Sequence, residues 1–458
     1  MARIALNTAL SLLVARRLGA EGLGKYAVLT AYIQVFQVFT ALGLPQLVIR
    51  EMARRPHERR YWFQGAVVTQ LLAAGGGAAI LILITNVLDY PVDTAQALRV
   101  AALSLFPFAV SSAAESAFQA REQMGLIALT QIGSRGVQVT GSVLALLVGQ
   151  DIVALAWMSV IGQCLAATID IVLVRGMGLW RGFRVDLNAS KRLFRQSLDF
   201  FILSLSVVTF TRLDILILSQ MVGERATGLY NAAYLVVQVM NFLSASYGHA
   251  AYPVLSRLFS EARARFETLL RKSLLFGMTS TLLIAILLAT AAQPIMGFLY
   301  KGEEYATSAL LLRIMVPFVV IFMWNSLLSK GLMVSDLQRR SVIVSSAKLG
   351  TGLIYYHLLT TWLGVAGTAI ATVLAGLTGT ILNYYFVNRE VCALDIVALA
   401  AKPLTIGAIL IVVLWIARGL AWPGLIVGGT IVYVCLLILF RVFSKEDIRL
   451  FWQMVCGL

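Results

Sequence analysis

Charged residues are scarce in this sequence. Asp, Glu, Lys and Arg make up 13% of its 458 residues, whereas about 25% is usual for a soluble domain. Hydrophobic residues reach 59%, and the mean hydropathy is +0.85. A surface in contact with water needs more polar cover than this composition supplies. The composition therefore excludes a soluble enzyme and indicates a lipid bilayer as the solvent.

Cysteine and histidine are also rare, with four and three residues respectively. The cysteines lie within or beside apolar runs and have no paired spacing, which is typical of small hydrophobic residues. The histidines are scattered, so no metal site is expected. The sequence contains no GxxxxGK[ST] motif, so direct use of ATP is not expected either. These residues are Cys164, Cys392, Cys435, Cys456, His57, His249 and His357.

Apolar runs of about 20 residues recur along the whole chain, long enough for helices that cross a hydrocarbon core of ~30 Å. The runs are continuous and not alternating, which predicts helices and not a β-barrel. We therefore predict an all-α integral membrane protein with about fourteen transmembrane helices. The first run is short, so we expect that helix 1 is truncated or that the natural chain begins upstream. The runs cover residues 4–15, 26–47, 64–87, 96–118, 126–148, 152–174, 197–220, 230–251, 273–300, 309–334, 341–363, 365–387, 403–417 and 423–443.

The net charge of +15 first suggests a nucleic-acid partner. Most of the basic residues, however, lie in short connections between apolar runs, and they concentrate on one side of the predicted topology. Cytoplasmic loops of membrane proteins have this excess of Lys and Arg. We therefore predict a multi-pass protein of a bacterial or archaeal plasma membrane with both termini in the cytoplasm, and no nucleic-acid partner.

An internal repeat divides the chain. Residues 18–39 align with residues 222–243, so that Gly19 matches Gly223 and Gly24 matches Gly228. Each copy begins a half of six helices, an even number, which predicts two lobes with the same polarity and a pseudo-twofold axis along the membrane normal. The predicted domains are residues 1–175 (N-lobe), 176–196 (basic cytoplasmic connector), 197–388 (C-lobe) and 389–458 (a final helix pair and tail).

Several motifs resemble a known family. The stretch RLGAEGLGKY at residues 17–26, with LGL at 42–44 and VIRE at 48–51, resembles the N-terminal signature of the polysaccharide flippases. RLD at residues 212–214 and GLYNAAY at 228–234 are similar to that family's second-lobe signature, and GVAG at 364–367 is similar too. The resemblance covers nearly the whole chain, and helix 1 is shorter here than in the family's pattern.

This resemblance is to the oligosaccharide flippases of the multidrug/oligosaccharidyl-lipid/polysaccharide exporter superfamily, which serve O-antigen and exopolysaccharide synthesis. It implies a V-shaped pair of lobes that moves an undecaprenyl-pyrophosphate-linked oligosaccharide from the inner to the outer leaflet by alternating access. The implied partners are this lipid-linked oligosaccharide, membrane lipids, and the polymerase and glycosyltransferases of the same pathway. The resemblance also raises coupling to H⁺ or Na⁺; beyond such an ion we expect no cofactor.

Charged residues inside membrane helices are costly, which makes each one a candidate functional residue. Arg135 and Lys348 lie at equivalent depths on helices 5 and 11, which are counterparts in the two halves. Such a pair of cations would suit a diphosphate. The alternative is that each cation neutralises a carboxylate or caps carbonyl groups within its own lobe.

Arg212 and Asp214 lie two residues apart on helix 7 and therefore point to different sides of it. We assign Arg212 to substrate binding and Asp214 to ion coupling, with structural salt bridges as the alternative. Arg17, at the outer end of helix 1, resembles the family's cavity-edge arginine and is assigned to substrate binding. Glu115 and Asp170 lie near cytoplasmic helix ends, where their side chains are expected to reach the interface.

Two other functions compete with a flippase. A multidrug/cation antiporter of the same superfamily would be expected to favour acidic and aromatic groups, and the basic mid-membrane residues speak against it. A membrane-embedded glycan polymerase or ligase needs a sizeable outer loop with catalytic residues, whereas all the outer loops predicted here are short. We therefore interpret the chain as a transporter and not an enzyme.

Overall fold

The computed structural model describes residues 2–183, 186–417, 419 and 421–443. This part of the chain contains helices and no strands, as predicted. Helices satisfy every backbone polar group within one segment, which is why apolar runs of this length adopt them in lipid. In chain order the helices are α1 Ala2–Ala41, α2 Leu44–Arg54, α3 Arg59–Val87, α4 Val92–Ala102, α5 Leu105–Gln119, α6 Met124–Leu147, α7 Ile152–Gly176, α8 Leu187–Met221, α9 Glu224–Glu261, α10 Arg263–Thr290, α11 Ala292–Tyr300, α12 Ala306–Met315, α13 Pro317–Val334, α14 Gln338–Glu390, α15 Ile396–Ile416 and α16 Trp422–Leu439.

Among the described residues, eight helices are long and apolar enough to cross a membrane, and counting two bent helix pairs raises the number to ten. The chain is thus a multi-pass membrane protein. Every predicted apolar run overlaps at least one of the sixteen helices given above, and α1 and α14 each include residues of two runs. The predicted total of about fourteen transmembrane helices and the truncation of helix 1 both stay predictions.

Glycines with positive φ separate the runs that share a helix. Gly19 divides α1 (φ 70°, ψ −168°), and Gly364 divides α14 (φ 58°, ψ −133°). Gly223, the repeat partner of Gly19, has φ 102° and directly precedes α9. Glycine adopts positive φ without the steric cost that a Cβ would impose. The repeat therefore matches positions with the same backbone requirement.

The chain forms two compact units, Met1–Gly228 and Leu229–Leu458. In the first unit α1 packs against α3, α6 and α8, while α5 packs against α3 and α7. The helix α8 lies in this unit because it packs on α1, α2 and α3. The sequence repeat instead assigns α8 to the C-lobe. The repeat shows which halves of the chain are related in sequence, whereas the two units are defined by contacts between residues. The predicted domain limits stay a prediction.

In the second unit α13 packs against α10 and α14, around a core that includes Phe266, Leu270 and Leu328. The last two helices, α15 and α16, pack on α10 through a separate cluster that contains Ile406, Leu410 and Tyr433. Tyr433 donates a hydrogen bond to the Thr279 carbonyl oxygen of α10 (2.8 Å), which fixes the position of α16.

Candidate functional site

A polar cavity of about 240 Å³ lies among four helices of the first unit, α1, α5, α6 and α7, together with Ser104 just before α5. Its walls are mostly amide and hydroxyl groups, with one basic and one acidic side chain. Such a lining is unusual within helices this apolar, because polar groups in a membrane protein need partners or water. We call this space the polar cavity. It is lined by Tyr26, Thr30, Ile33, Gln34, Gln37, Ser104, Phe108, Ser111, Ser112, Glu115, Gln131, Ser134, Arg135, Gln138, Ser159, Gly162, Gln163 and Ala166.

Arg135 is the basic residue of the polar cavity. Its Nε donates to Asn7 Oδ1 of α1 (2.8 Å), and its Nη1 donates to Gln138 Oε1, one turn further along α6 (2.6 Å). The Gln138 amide in turn donates to Ser159 Oγ of α7 (2.8 Å). Contacts from α1, α6 and α7 thereby orient the guanidinium, whose planar fork of N–H donors suits oxygen anions such as phosphate.

Glu115 is the acidic residue of the polar cavity. Both of its carboxylate oxygens accept hydrogen bonds from the Gln131 side-chain amide, at 3.0 and 3.2 Å. The prediction that this carboxylate reaches the interface is not what the structure shows, since it turns inward between α5 and α6. The physical reason is the polar partner that Gln131 offers there.

Two of the predicted site residues meet at the polar cavity. Arg212 Nε donates to Oε1 of the cavity-lining Gln34 (2.8 Å), so α8 contributes a second cation at the edge of the space that Arg135 lines. Asp214 is buried, and its Oδ1 accepts a hydrogen bond from the backbone N–H of Ile215 (2.8 Å). Asp214 does not line the polar cavity.

The other two predicted residues lie elsewhere. Arg17 is exposed on α1, two residues before the bend at Gly19, and does not line the polar cavity. Lys348 belongs to the second unit, where its alkyl stem packs on Gly379 next to Asn325. The predicted pairing of Lys348 with Arg135 stays a prediction.

A second charged cluster lies outside the polar cavity. Lys25 Nζ contacts Glu21 (2.8 Å), Asp93 (2.6 Å) and Glu224 (3.8 Å), which brings together α1, α4 and the first turn of α9. Burial raises the pKa of the Glu224 carboxyl, while the nearby Thr94 hydroxyl and the Lys25 charge oppose this shift. Within the described part of the chain, no group of three or more His, Cys, Asp or Glu side chains is placed to hold a metal ion.

Most residues of the polar cavity are neutral, so the charged residues of the sequence do not predict them. The neutral lining residues follow helical spacing: Gln131, Ser134, Arg135 and Gln138 share one face of α6, and Thr30, Gln34 and Gln37 share one face of α1. Residues three and four apart lie on the same side of a helix. This recurrence of amides and hydroxyls within apolar runs is the signal that would have located the cavity.

Comparison with known proteins places the chain in a family. The sequence model described as Polysaccharide biosynthesis protein matches residues 8–259, which is more than half of the chain. This chain belongs to the polysaccharide biosynthesis protein family. The predicted resemblance to that family is thereby confirmed. No curated protein matches the sequence significantly.

Solved structures show the fold of this polysaccharide biosynthesis family member. The lipid II flippase MurJ in an inward closed conformation superposes with a TM-score of 0.78 at 14% identity, covering 96% of this chain and 97% of that one. An inward-facing multidrug resistance MATE family transporter of the MOP superfamily gives 0.67 at 14% identity, covering 87% and 96%. A MOP superfamily transporter from Pyrococcus furiosus gives 0.57 at 12% identity, covering 85% and 92%. At such identities the likeness establishes the MurJ and MATE fold alone.

Proposed function

We propose that the protein is a flippase that moves undecaprenyl-pyrophosphate-linked oligosaccharide units from the inner to the outer leaflet of a prokaryotic plasma membrane. The observation that carries this proposal is Arg135, which donates hydrogen bonds to Asn7 and Gln138 and lines a cavity rich in amides and hydroxyls inside a membrane protein. Membership of the polysaccharide biosynthesis family supports a glycan substrate, and the fold shared with the lipid II flippase MurJ supports a lipid carrier.

The polar cavity suits the head of such a substrate. A guanidinium binds phosphate oxygens through parallel hydrogen bonds, and amide and hydroxyl side chains match the hydroxyl groups of sugars. At about 240 Å³ the cavity is smaller than ordinary small-molecule pockets, which begin near 300 Å³. It therefore holds only part of the lipid-linked glycan at a time, and the polyprenyl chain stays in the lipid.

A multidrug/cation antiporter is the competing proposal, because transporters of the MATE family share the fold. A cation site needs a carboxylate or aromatic faces that are available to the ligand. In the polar cavity, Glu115 accepts hydrogen bonds from Gln131, and five glutamines and five serines dominate the lining. The lining therefore favours a polyhydroxylated, anionic substrate over a lipophilic cation.

Reconstituted vesicles test the proposal. A fluorescent undecaprenyl-pyrophosphate-oligosaccharide is placed in one leaflet, and its arrival in the other is followed with an impermeant quencher. We expect Arg135→Ala to slow transport about 10- to 100-fold, since charge-assisted hydrogen bonds contribute about 1.5–3 kcal/mol and 1.4 kcal/mol is tenfold. Arg195→Ala, an exposed arginine on α8, is the matched control and should transport at the wild-type rate.

One result would contradict the proposed function, and another would contradict the role of the polar cavity in it. Wild-type vesicles that leave the lipid-linked glycan in its original leaflet, yet export a lipophilic cation such as ethidium, would establish the antiporter instead. A wild-type rate in Arg135→Ala would leave a flippase but remove the polar cavity from its mechanism.

A further inference from the structure

Asp170 of α7 is the most completely buried carboxylate of the first unit. Its exposed fraction is 0%, and neither side-chain oxygen makes a hydrogen bond to any described residue. The prediction that this side chain reaches the interface is wrong, because α4, α5 and α6 pack around α7 and enclose it. A buried polar group without a partner is rare in proteins, since an ionised carboxylate there loses its hydration without compensation.

The surroundings of Asp170 belong to the polar cavity. The Ser111 and Thr130 hydroxyls lie beside its carboxyl group, and Glu115 is close enough for their charges to repel. Ser111 and Glu115 both line the polar cavity, and Ser111 Oγ also makes no hydrogen bond to a described residue. Thr130 Oγ1 donates instead to the Leu126 carbonyl oxygen (2.8 Å). Ser111 thus connects the polar cavity to the buried Asp170 carboxyl group, which lies behind the cavity wall.

We propose that Asp170 is an exchangeable proton site, and that its proton is the coupling ion of the transporter. The inference rests on the proposed function, because coupling has meaning only where a substrate is moved. One proton converts the Asp170 carboxylate into a neutral carboxylic acid, which gains an O–H group that can donate to Ser111 Oγ. This binding removes both the uncompensated charge and the repulsion from Glu115.

Several other charged groups on the described helices around α7 have partners of their own. Arg135 of α6 contacts Asn7 and Gln138, and Arg99 of α4 contacts Asn86 and Thr85. Charged residues of α1 and α4 meet in the Lys25 cluster. Glu115 is thus the charged side chain that acts directly on Asp170.

The position of Asp170 beside the polar cavity connects proton binding to substrate binding. Glu115 is common to both, since it lines the same cavity as Arg135 and repels Asp170 when both carboxyl groups are ionised. Protonated Asp170 leaves the cavity less negative and favours an anionic diphosphate near Arg135. Loss of the proton has the opposite effect, so the protonation state of Asp170 changes how strongly the cavity binds an anionic substrate.

The first test detects the proton without any substrate. Purified wild-type protein is titrated while infrared difference spectra record carbonyl bands of protonated carboxyl groups. We expect one band, sensitive to deuterium exchange, that is absent from Asp170→Asn and present in Asp199→Asn, a control on the exposed part of α8. Ser111→Ala keeps the carboxyl group and should shift the frequency and titration midpoint of the band. An unchanged band in Asp170→Asn would overturn the proposal.

The second test measures coupling in vesicles as the ratio of the transport rate with a pH gradient to the rate without one. We expect this ratio to fall to one in Asp170→Asn and to keep its wild-type value in Asp199→Asn. A ratio lost in Asp214→Asn and kept in Asp170→Asn would move the site to Asp214 and overturn the proposal. A response to a Na⁺ gradient that Asp170→Asn abolishes would replace the proton by a metal cation.

The proposed function and the proton site can be rejected independently of each other. If no protein, wild type included, moves the lipid-linked glycan, the proposed function fails while the infrared band still reports on Asp170. If the wild type moves it and the Asp170→Asn ratio equals the wild-type ratio, the proton site fails and the flippase stands.

Discussion

Arg135 owes its orientation to two side-chain amide oxygens. Asn7 and Gln138 accept its hydrogen bonds without neutralising its charge, and Ser159 holds the Gln138 amide from the opposite side. A carboxylate in either position would turn the arginine into half of a salt bridge. An amide oxygen orients the guanidinium without placing a negative charge beside it, which favours an approaching phosphate group.

Gln138→Glu tests this argument because it changes the charge and almost nothing in shape. The new carboxylate would lie at the position of an oxygen 2.6 Å from Arg135 Nη1 and would form a salt bridge with it. We expect transport of the lipid-linked glycan to fall about 10-fold or more, because a loss of about 1.4 kcal/mol in substrate binding corresponds to a factor of ten. The melting temperature should stay the same or rise. Gln119→Glu, exposed at the end of α5, is the control. Normal transport by Gln138→Glu would mean that the charge of Arg135 is not used.

At the scale of helices, the repeated glycines decide how closely α1 and the start of α9 approach. A Cβ on Gly24 would overlap the Glu224 carbonyl oxygen, and a Cβ on Gly228 would overlap the Ala20 carbonyl oxygen. The sequence repeat already pairs these two glycines. The repeat does not indicate that the two glycines contact each other. In the structure each glycine leaves room for the backbone of the segment that contains the other.

Gly24→Ala and Gly228→Ala are each expected to reduce the yield of folded protein and lower its melting temperature, because the helices must separate to admit a methyl group. Gly75→Ala in α3 is the matched control, since its Cβ would meet no atom within 4 Å. There the substitution should be neutral or stabilise by about 0.5–1 kcal/mol, as expected for alanine in a helix interior. Equal melting temperatures for all three variants would show that the crossing tolerates separation.

At the scale of the whole chain, the distribution of Lys and Arg predicts the orientation in the membrane. Asn188, near the start of α8, and Asp89, between α3 and α4, are exposed and lie on opposite sides of the predicted topology. In intact cells expressing a chain without its native cysteines, an impermeant maleimide should label Asp89→Cys and not Asn188→Cys. Permeabilised cells, in which both should react, are the control. The reverse labelling pattern would invert the orientation.

The sequence alone determined the membrane environment, the helical fold class and the family. These properties follow from local information: apolar runs long enough to cross lipid, motifs such as RLGAEGLGKY, and glycines at positions that need positive φ. Arg135 and Arg212 were identified for the same reason, since a charge within an apolar run is costly wherever its helix packs.

Only the tertiary structure decided which polar side chains share one cavity. Gln34, Gln138 and Ser159 come from three helices, and their convergence depends on how each helix is rotated and packed against the others. The same packing enclosed Asp170, which by sequence position alone looked like a residue at the membrane interface. Rotation and burial arise from contacts between residues far apart in the chain, so no local pattern of residues specifies them.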